Sequence, residues 1–332
     1  MKATYFFKRS GICSVLVFLT LMASWGALFT YSAVQIDAID VLTALLNHDS
    51  QNIRHVIVQE IRLPRVLVAI LVGASLATAG MLMQGVTRNP LASPSLFGVN
   101  TGAALGVALV STFWVSSSLV SMQLAAIIGG ASAWTLVMLL GGAWKTGSER
   151  GQLILSGIAI SSFCGALTKA SLILVEDQAS SVISWLAGSF ANVRWDTWQW
   201  SWPCLSLGLV LSLLITPKLN LLSMGDERVK SFGVNLGWLR ISVGFVVFIL
   251  VGISVSAVGV VAFLGLIVPQ IARLLVGYDY RIMLPVCMLL GALFTVTADL
   301  ISRGIVYPTE TPAGAVLALI GAPYFLYLVR GK

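Results

Sequence analysis

Few side chains in this chain can carry charge, so they can be weighed almost one by one: 20 lysines and arginines, 13 aspartates and glutamates and 2 histidines among 332 residues. Both histidines, His48 and His55, fall in one short segment, so no His-based catalytic pair can be assembled inside the apolar parts of the chain. No G-x-x-x-x-G-K-[ST] loop is present to cradle the phosphates of ATP, and no H-E-x-x-H is present to hold zinc. The four cysteines, Cys13, Cys164, Cys204 and Cys287, are scattered without a C-x-x-C pair, which reads as small packing residues and not a disulfide or metal framework. Enzymes, metal centres and resident cofactors are therefore not expected. What remains is recognition by charge. Arg62, Arg65 and Arg303 carry guanidinium groups, and Asp299 precedes Arg303 by four residues, on the same face of a helix. Lys169 is the one basic residue deep in an apolar stretch. The segment Gly225-Asp226-Glu227-Arg228-Val229-Lys230-Ser231-Phe232-Gly233 concentrates charge around two apolar side chains.

The elements that position these residues follow from composition. Only 10% of the residues are charged and 58% are hydrophobic, with a mean hydropathy of +0.94. Water-soluble domains carry about 25% charged residues, so the bilayer is the solvent this chain suits. Charge-free stretches run over Gly11–Ile36 and Val66–Thr87. Asn89–Trp144 continues for 56 residues, far beyond the roughly 20 that one crossing needs, and must fold back near Ser116–Ser118. Gly151–Val175, broken only by Lys169, and Thr197–Pro217 add one crossing each. Ile241–Ala272 adds two, with a turn near Ala257–Gly259, and Ile282–Ala298 and Thr311–Val329 complete the set. These runs lack the period-2 alternation of a barrel, and backbone groups in hydrocarbon need internal partners, so the crossings are helices. The reading is an all-α polytopic membrane protein of about ten transmembrane helices. No linker divides residues 1–332, which are taken as one domain. The first span has a basic flank like a signal peptide, but its apolar run is longer and no small-residue cleavage site is evident, so it reads as a retained span.

An even number of crossings places both termini on one side. With Lys2, Lys8 and Arg9 in the cytoplasm, 14 of the 20 basic residues fall in inner segments, as cytoplasmic loops require, and 9 of the 13 acids fall on the outer half. The formal charge of +7 is thus an orientation signal and not a nucleic-acid-binding surface. Arg62, Arg65 and Arg303 then stand out as basic residues on an acid-biased outer face. Trp195, Trp198, Trp200 and Trp202 cluster at an outer span end, where an aromatic belt belongs. Gly73, Ser75, Gly80, Pro90, Leu96 and Gly98 recur 179 residues later as Gly252, Ser254, Gly259, Pro269, Leu275 and Gly277. Two readings stand for this echo, an inverted repeat of the kind transporters use or coincidence in a glycine-rich chain. Gly98–Gly102–Gly106 and Ala77–Gly80 are small-residue patterns that let helices approach closely.

Three longer stretches are more specific. The first joins Arg62-Leu-Pro-Arg65, Gly73-Ala-Ser-Leu-Ala-Thr-Ala-Gly80 and Gln84-Gly-Val-Thr-Arg88-Asn-Pro-Leu-Ala-Ser-Pro94-Ser-Leu-Phe-Gly98. The second is Phe263-Leu-Gly-Leu-Ile-Val-Pro269-Gln270-Ile-Ala-Arg273, and the third runs from Ala298-Asp299-Leu-Ile-Ser-Arg303 to Glu310-Thr-Pro312-Ala-Gly314 and Ile320-Gly-Ala-Pro323. In this order, over essentially the whole chain, they resemble the FecCD-type permeases of bacterial ABC importers for iron siderophores, haem and cobalamin. Ser93–Leu105, Leu219-Asn-Leu-Leu222, Gly233-Val-Asn-Leu236 and Pro312–Gly321 are most similar to the iron(III) dicitrate branch. The chain departs from the family at Gln270, where His is usual; Gln keeps a hydrogen-bonding group and loses the titratable one.

The resemblance implies a type II importer architecture in the bacterial cytoplasmic membrane. Two permease subunits, here a second and paralogous chain, would surround a central path. Two ATPase subunits would bind below and an extracytoplasmic solute-binding protein would dock above, with a ferric chelate, iron(III) dicitrate or a related siderophore complex, as cargo. It implies that Arg62, Arg65 and Arg303 meet carboxylates of the binding protein, a task suited to bidentate guanidinium; plain snorkelling at the interface is the alternative. It implies that the cytoplasmic loop Leu219–Leu236, with Gly225, Asp226, Glu227, Val229, Phe232 and Gly233, fits a groove on the ATPase, where a solvated loop would leave Phe232 exposed without gain. Lys169 either snorkels toward Glu176 and Asp177 or attracts an anionic chelate from the path wall. An ion-coupled transporter, the rival class, would need ionisable groups near the bilayer midplane, for which Lys169 is the sole candidate.

Overall fold

The computed structural model describes residues 2–47, 49–113, 119–142, 150–174, 183, 185–223, 231 and 233–330. The principal helices are α1 (Lys2–Phe29), α2 (Ala38–Leu46), α3 (Ile53–Thr87), α4 (Val99–Phe113), α5 (Leu119–Leu140), α6 (Arg150–Leu174), α7 (Trp195–Leu222), α8 (Leu236–Val258), α9 (Leu264–Val276), α10 (Tyr280–Ile305) and α11 (Ala313–Arg330). Among the described residues, seven helices are long and apolar enough to cross a bilayer; α4, α9 and α11 are shorter apolar helices and bring the crossings to the ten expected. The fold-back near Ser116–Ser118 lies outside the described residues.

The centre of the bundle is α3, which packs against α7, α8, α9 and α10. Its Val68, Val72, Met81, Leu82 and Met83 have no exposed surface. Lipid tails are as apolar as these side chains, so burial here is driven by close packing and not by escape from water. The sequence supplies the means in Gly73-Ala-Ser-Leu-Ala-Thr-Ala-Gly80, a face almost without side chains. Gly73 lies against the Gly291 backbone of α10, and Gly80 against the Gly265 backbone of α9. The same device joins α4 to α5, where Gly102 and Gly106 meet Gly129 and Ala125 main-chain atoms.

At 15 and 13 residues, α4 and α9 rise only about 22 and 20 Å at 1.5 Å per residue, short of a hydrocarbon core of about 30 Å. Non-helical chain completes both. A 3-10 turn at Pro94–Phe97 and Gly98, with φ +69°, precede α4. The segment from Gly259 to Phe263 precedes α9, and Phe263 itself takes a left-handed φ of 63°. Irregular backbone at membrane depth is tolerated only where protein buries it or a cavity borders it. Both segments border one cavity of about 250 Å³, lined by Ser93, Pro94, Asn100, Ala262, Phe263 and Phe325. Beside the stretch before α9, the end of α8 and the start of α11 are stitched to the Gly188–Ser189 segment through the main chain. Ser189 N–H donates to Val258 O at 2.8 Å and Gly314 N–H to Gly188 O at 2.9 Å. A side chain at Gly188, Gly259 or Gly314 would collide with backbone atoms.

Two features depart from the sequence reading. The helix of the second span begins at Ile53, ahead of the Arg62–Arg65 start that the sequence suggests, because Arg62 and Arg65 find partners inside the protein and the helix continues past them through a π-helical stretch, Ile57–Arg62. The loop before it contains a helix of its own, α2. The 179-residue echo is matched in backbone at Gly98 and Gly277, both at positive φ, but not at Gly80 and Gly259, since Gly80 is helical and Gly259 ends α8 at φ 79°.

Gly80→Ala is expected to force α3 and α9 apart and to cost about 1–3 kcal/mol of stability, read as a lower melting temperature in detergent. Gly165→Ala, where a Cβ meets nothing within 4 Å, is expected to leave melting unchanged or raise it slightly.

Candidate functional site

The residues singled out for charge recognition converge at one end of the bundle. Asp299, on the last turns of α10, has its carboxylate in the protein interior. Arg65 of α3 takes it side-on, with Nε donating to Oδ1 at 3.0 Å and Oδ2 at 3.1 Å, and Nη2 donating to Oδ1 at 2.8 Å. The other edge of the Arg65 guanidinium reaches Glu310, with Nη1 donating to Oε1 at 3.0 Å and Nη2 lying 2.9 Å from Oε2. Arg303, one helical turn beyond Asp299, pairs with Oδ2 at 3.3 Å and donates from Nη1 to the Ala27 carbonyl of α1 at 3.0 Å. Arg62 donates from Nη2 to the Tyr31 carbonyl at 2.9 Å. Its Nη1 is buried without a hydrogen-bond partner.

The sequence reading sets all three arginines on the outer face with their charges outward. The structure sinks them: Arg62, Arg65 and Arg303 are 6%, 4% and 1% exposed. The physical reason is Asp299. A carboxylate in a low-dielectric interior needs compensating charge, and the i, i+4 partner visible in the sequence is joined by Arg65 from a distant helix. What faces solvent is a cavity of about 270 Å³ lined by Tyr31, Arg62, Arg65, Arg194, Arg303 and Glu310. Four arginines to two carboxylates, Glu310 on the wall and Asp299 behind it, leave the wall net cationic. Among the described residues, Arg194 hydrogen-bonds only main-chain oxygens, those of Ala191 and Val193. The sequence reading missed Arg194 and Glu310 as members; Glu310 sat in a recognised stretch, but its pairing with Arg65 spans 245 residues and leaves no local signal.

At the opposite end, a second polar network forms around Gln270. Gln270 Nε2 donates to the Pro90 carbonyl, while Gln270 Oε1 accepts from Arg273 Nη1 at 3.1 Å. Arg273 Nη2 donates to Gln84 Oε1 at 3.1 Å, and Gln84 Nε2 to Leu266 O at 3.2 Å. The network ties α3, α9 and the turn between α3 and α4 together. Position 270 supplies one donor and one acceptor at once, which an amide does at any pH. Nearby, Asn220 Nδ2 donates to Asp279 Oδ1 at 2.7 Å and its Oδ1 accepts from Tyr280 N–H at 2.9 Å, fastening the end of α7 to the start of α10. Gly225, Asp226, Glu227, Val229 and Phe232 lie outside the described residues. Gly233 has φ +75° with open space around it, and Asn235 caps α8 by accepting from Trp238 N–H at 3.2 Å. Lys169 is brought to none of these groups; it sits on the exposed face of α6, five residues before the helix ends at Leu174.

Ten apolar crossings around a small-residue centre, with a cationic cavity at one end and the polar network of Gln270 and Arg273 at the other, define a polytopic membrane permease. The chain belongs to the FecCD transport family, whose model matches residues 15–331. It is 46% identical to the Fe(3+) dicitrate transport system permease protein FecC of Escherichia coli over 93% of each chain. It is 38% identical to the Fe(3+)-citrate import system permease protein YfmD of Bacillus subtilis, over 92% of this chain and 90% of that one. In fold it is similar to a structure described as an inward-facing metal-chelate type ABC transporter, with a TM-score of 0.84 and 32% identity over 97% of this chain and 100% of that one.

Asp299→Asn is expected to strip Arg303 of its ionic partner and leave Arg65 with Glu310 alone. Breaking a buried pair from one side costs about 3–5 kcal/mol, so this variant should melt well below the parent in detergent at neutral pH.

Proposed function

We propose that this chain is a permease subunit of a binding-protein-dependent ABC importer that carries a ferric chelate, iron(III) dicitrate, across the bacterial cytoplasmic membrane. Similarity over nine-tenths of the chain to permeases whose names state ferric citrate is the observation that carries this reading. ATP hydrolysis falls to two separate ATPase subunits seated under the Leu219–Leu236 loop, whose base is fastened by Asn220 and Asp279. A second, paralogous permease completes the path, and both termini are cytoplasmic. The Arg62 end is then the outer end.

A solute-binding protein docks over the cationic cavity. Arg62 is the residue we assign to the contact, since it lines the cavity and, unlike Arg65 and Arg303, forms no ion pair among the described residues. Arg65 and Arg303 support it from beneath, holding the cavity wall in place and adding field without giving up Asp299. Arg62→Glu should weaken docking by about 2–5 kcal/mol while leaving the Asp299 cluster paired, measured as affinity of the purified binding protein for the assembled importer at low salt. Unchanged affinity would make Arg62 a structural residue only.

Lys169 is assigned to the path, where an ammonium group draws an anionic chelate inward. The measurement that tests the substrate and this residue together is initial uptake of radioactive iron supplied with citrate, a hydroxamate or a catecholate, in cells with and without this gene. Citrate-dependent uptake should require the gene. Lys169→Met should slow it and Lys169→Arg should retain most of it, normalised to assembled complex. Equal rates for Met and Lys would return Lys169 to a snorkelling role, and gene-dependent uptake only with another chelator would reassign the cargo.

A further inference from the structure

α2 was not foreseen from the sequence, and its nine residues divide the helix surface into three sectors. Successive residues turn by about 100°, so Val41 and Ala44 share one side; both have no exposed surface and pack toward the π-helical start of α3. Asp40 and Thr43 occupy a second side, already engaged. Arg54 Nη1 donates to Asp40 Oδ2 at 3.0 Å, Thr43 Oγ1 lies 3.1 Å from His55 Nε2, and Asp37 N–H donates to Asp40 Oδ2 at 2.9 Å. The third side holds Ile39, Leu42, Leu45 and Leu46, which are 73%, 48%, 42% and 78% exposed. The helix is also pinned in place by Gln59 of the π-helical stretch, whose Nε2 donates to Ala44 O at 2.6 Å.

The height of α2 on the bundle identifies what covers that third side. Helix α3 has 35 residues, or about 52 Å at 1.5 Å per residue, against a hydrocarbon core of about 30 Å. With Thr87 at one membrane boundary, the other boundary falls near Ile61–Ile70 for a helix tilted by the usual 20° or so. α2 packs beside Ile53–Arg62, in the headgroup layer just beyond that boundary. The uncovered side is purely aliphatic. Protein docking surfaces are anchored by Trp, Tyr and Arg with Leu under-represented, so this side lacks the features of one.

We propose that α2 is an interfacial helix that lies in the headgroup boundary of the outer leaflet, with Ile39, Leu42, Leu45 and Leu46 immersed in lipid acyl chains. Its association with lipid is apolar in origin. The neighbouring charges are Asp37, Asp40, Asp49 and Arg54, not the lysine-rich face by which amphipathic helices select anionic lipids. Because Gln59 and Arg62 share the π-helical stretch that α2 braces, immersion of α2 fixes the height of the cationic cavity above the lipid.

The test is site-directed spin labelling of the assembled importer in phosphatidylcholine nanodiscs. Leu42→Cys, Leu46→Cys and Gln51→Cys are made one at a time after replacing the less buried Cys13 and Cys204, while buried Cys164 and Cys287 are kept. The parent without an added cysteine reports residual labelling. Labels at 42 and 46 should collide several-fold more with dissolved oxygen than with a water-soluble nickel chelate, and the label at Gln51 should show the reverse. Adding phosphatidylserine should change neither ratio, and docking the binding protein should not change them. Nickel accessibility at 42 and 46 equal to that at 51 would place the face in water and overturn the proposal. Protection from both reagents, with or without the binding protein, would give the face to a protein partner and overturn it equally. These outcomes do not depend on which chelate is carried.

Discussion

The arrangement of one end of this permease depends on a single buried carboxylate. Asp299 sits where an isolated charge would be intolerable, and two arginines neutralise it, Arg65 from α3 and Arg303 from its own helix; Glu310, from the segment before α11, takes the other edge of the Arg65 fork. Arg303 then reaches α1 at Ala27 and Arg62 reaches the turn at Tyr31, so the first helix and the loop after it are held by the same charges. A pair of this kind contributes little net stability over an apolar substitute, but breaking it from one side is expensive. It therefore fixes geometry more than it adds strength, and what it fixes is the wall of the solvent-facing cavity.

Elsewhere the bundle is held by the absence of side chains. Gly73, Gly80, Gly102 and Gly106 bring main chains into direct contact, where dispersion between closely packed atoms replaces a hydrophobic effect that lipid does not supply. Close packing at the centre coexists with unfilled space beside it, because α4 and α9 stop short and their irregular approaches border a cavity. Rigid helices meet a region of non-helical chain deep in the protein, on the flank of α3. Such a combination suits a structure that must open and close without dissolving its core.

Much of this was legible in the sequence. Charge-free runs gave the crossings, since hydrocarbon imposes length and polarity on every segment alike. The pairing of Asp299 with Arg303 was visible as an i, i+4 spacing. Its capture by Arg65 was not, because the partners are 234 residues apart and each, seen alone, resembles an interfacial charge. The same limit hid Arg194 and Glu310. α2 escaped notice for a different reason: at nine residues it is too short to register as a span, and its apolar run is interrupted in sequence by Asp40 and Thr43, the two polar residues that bind α3. The role of Gln270 became readable only once Pro90 and Arg273 were seen on either side of it.

The stitches between Ser189 and Val258 and between Gly188 and Gly314 use main-chain atoms only. A joint built this way is indifferent to most mutation, provided its glycines stay. The side chains around it, among them Ala262 on the cavity wall, can then change without undoing the joint. A scaffold of that design can diversify toward new cargo by exchanging wall residues, and its history of specialisation would be written in those few positions rather than in the helices that carry them.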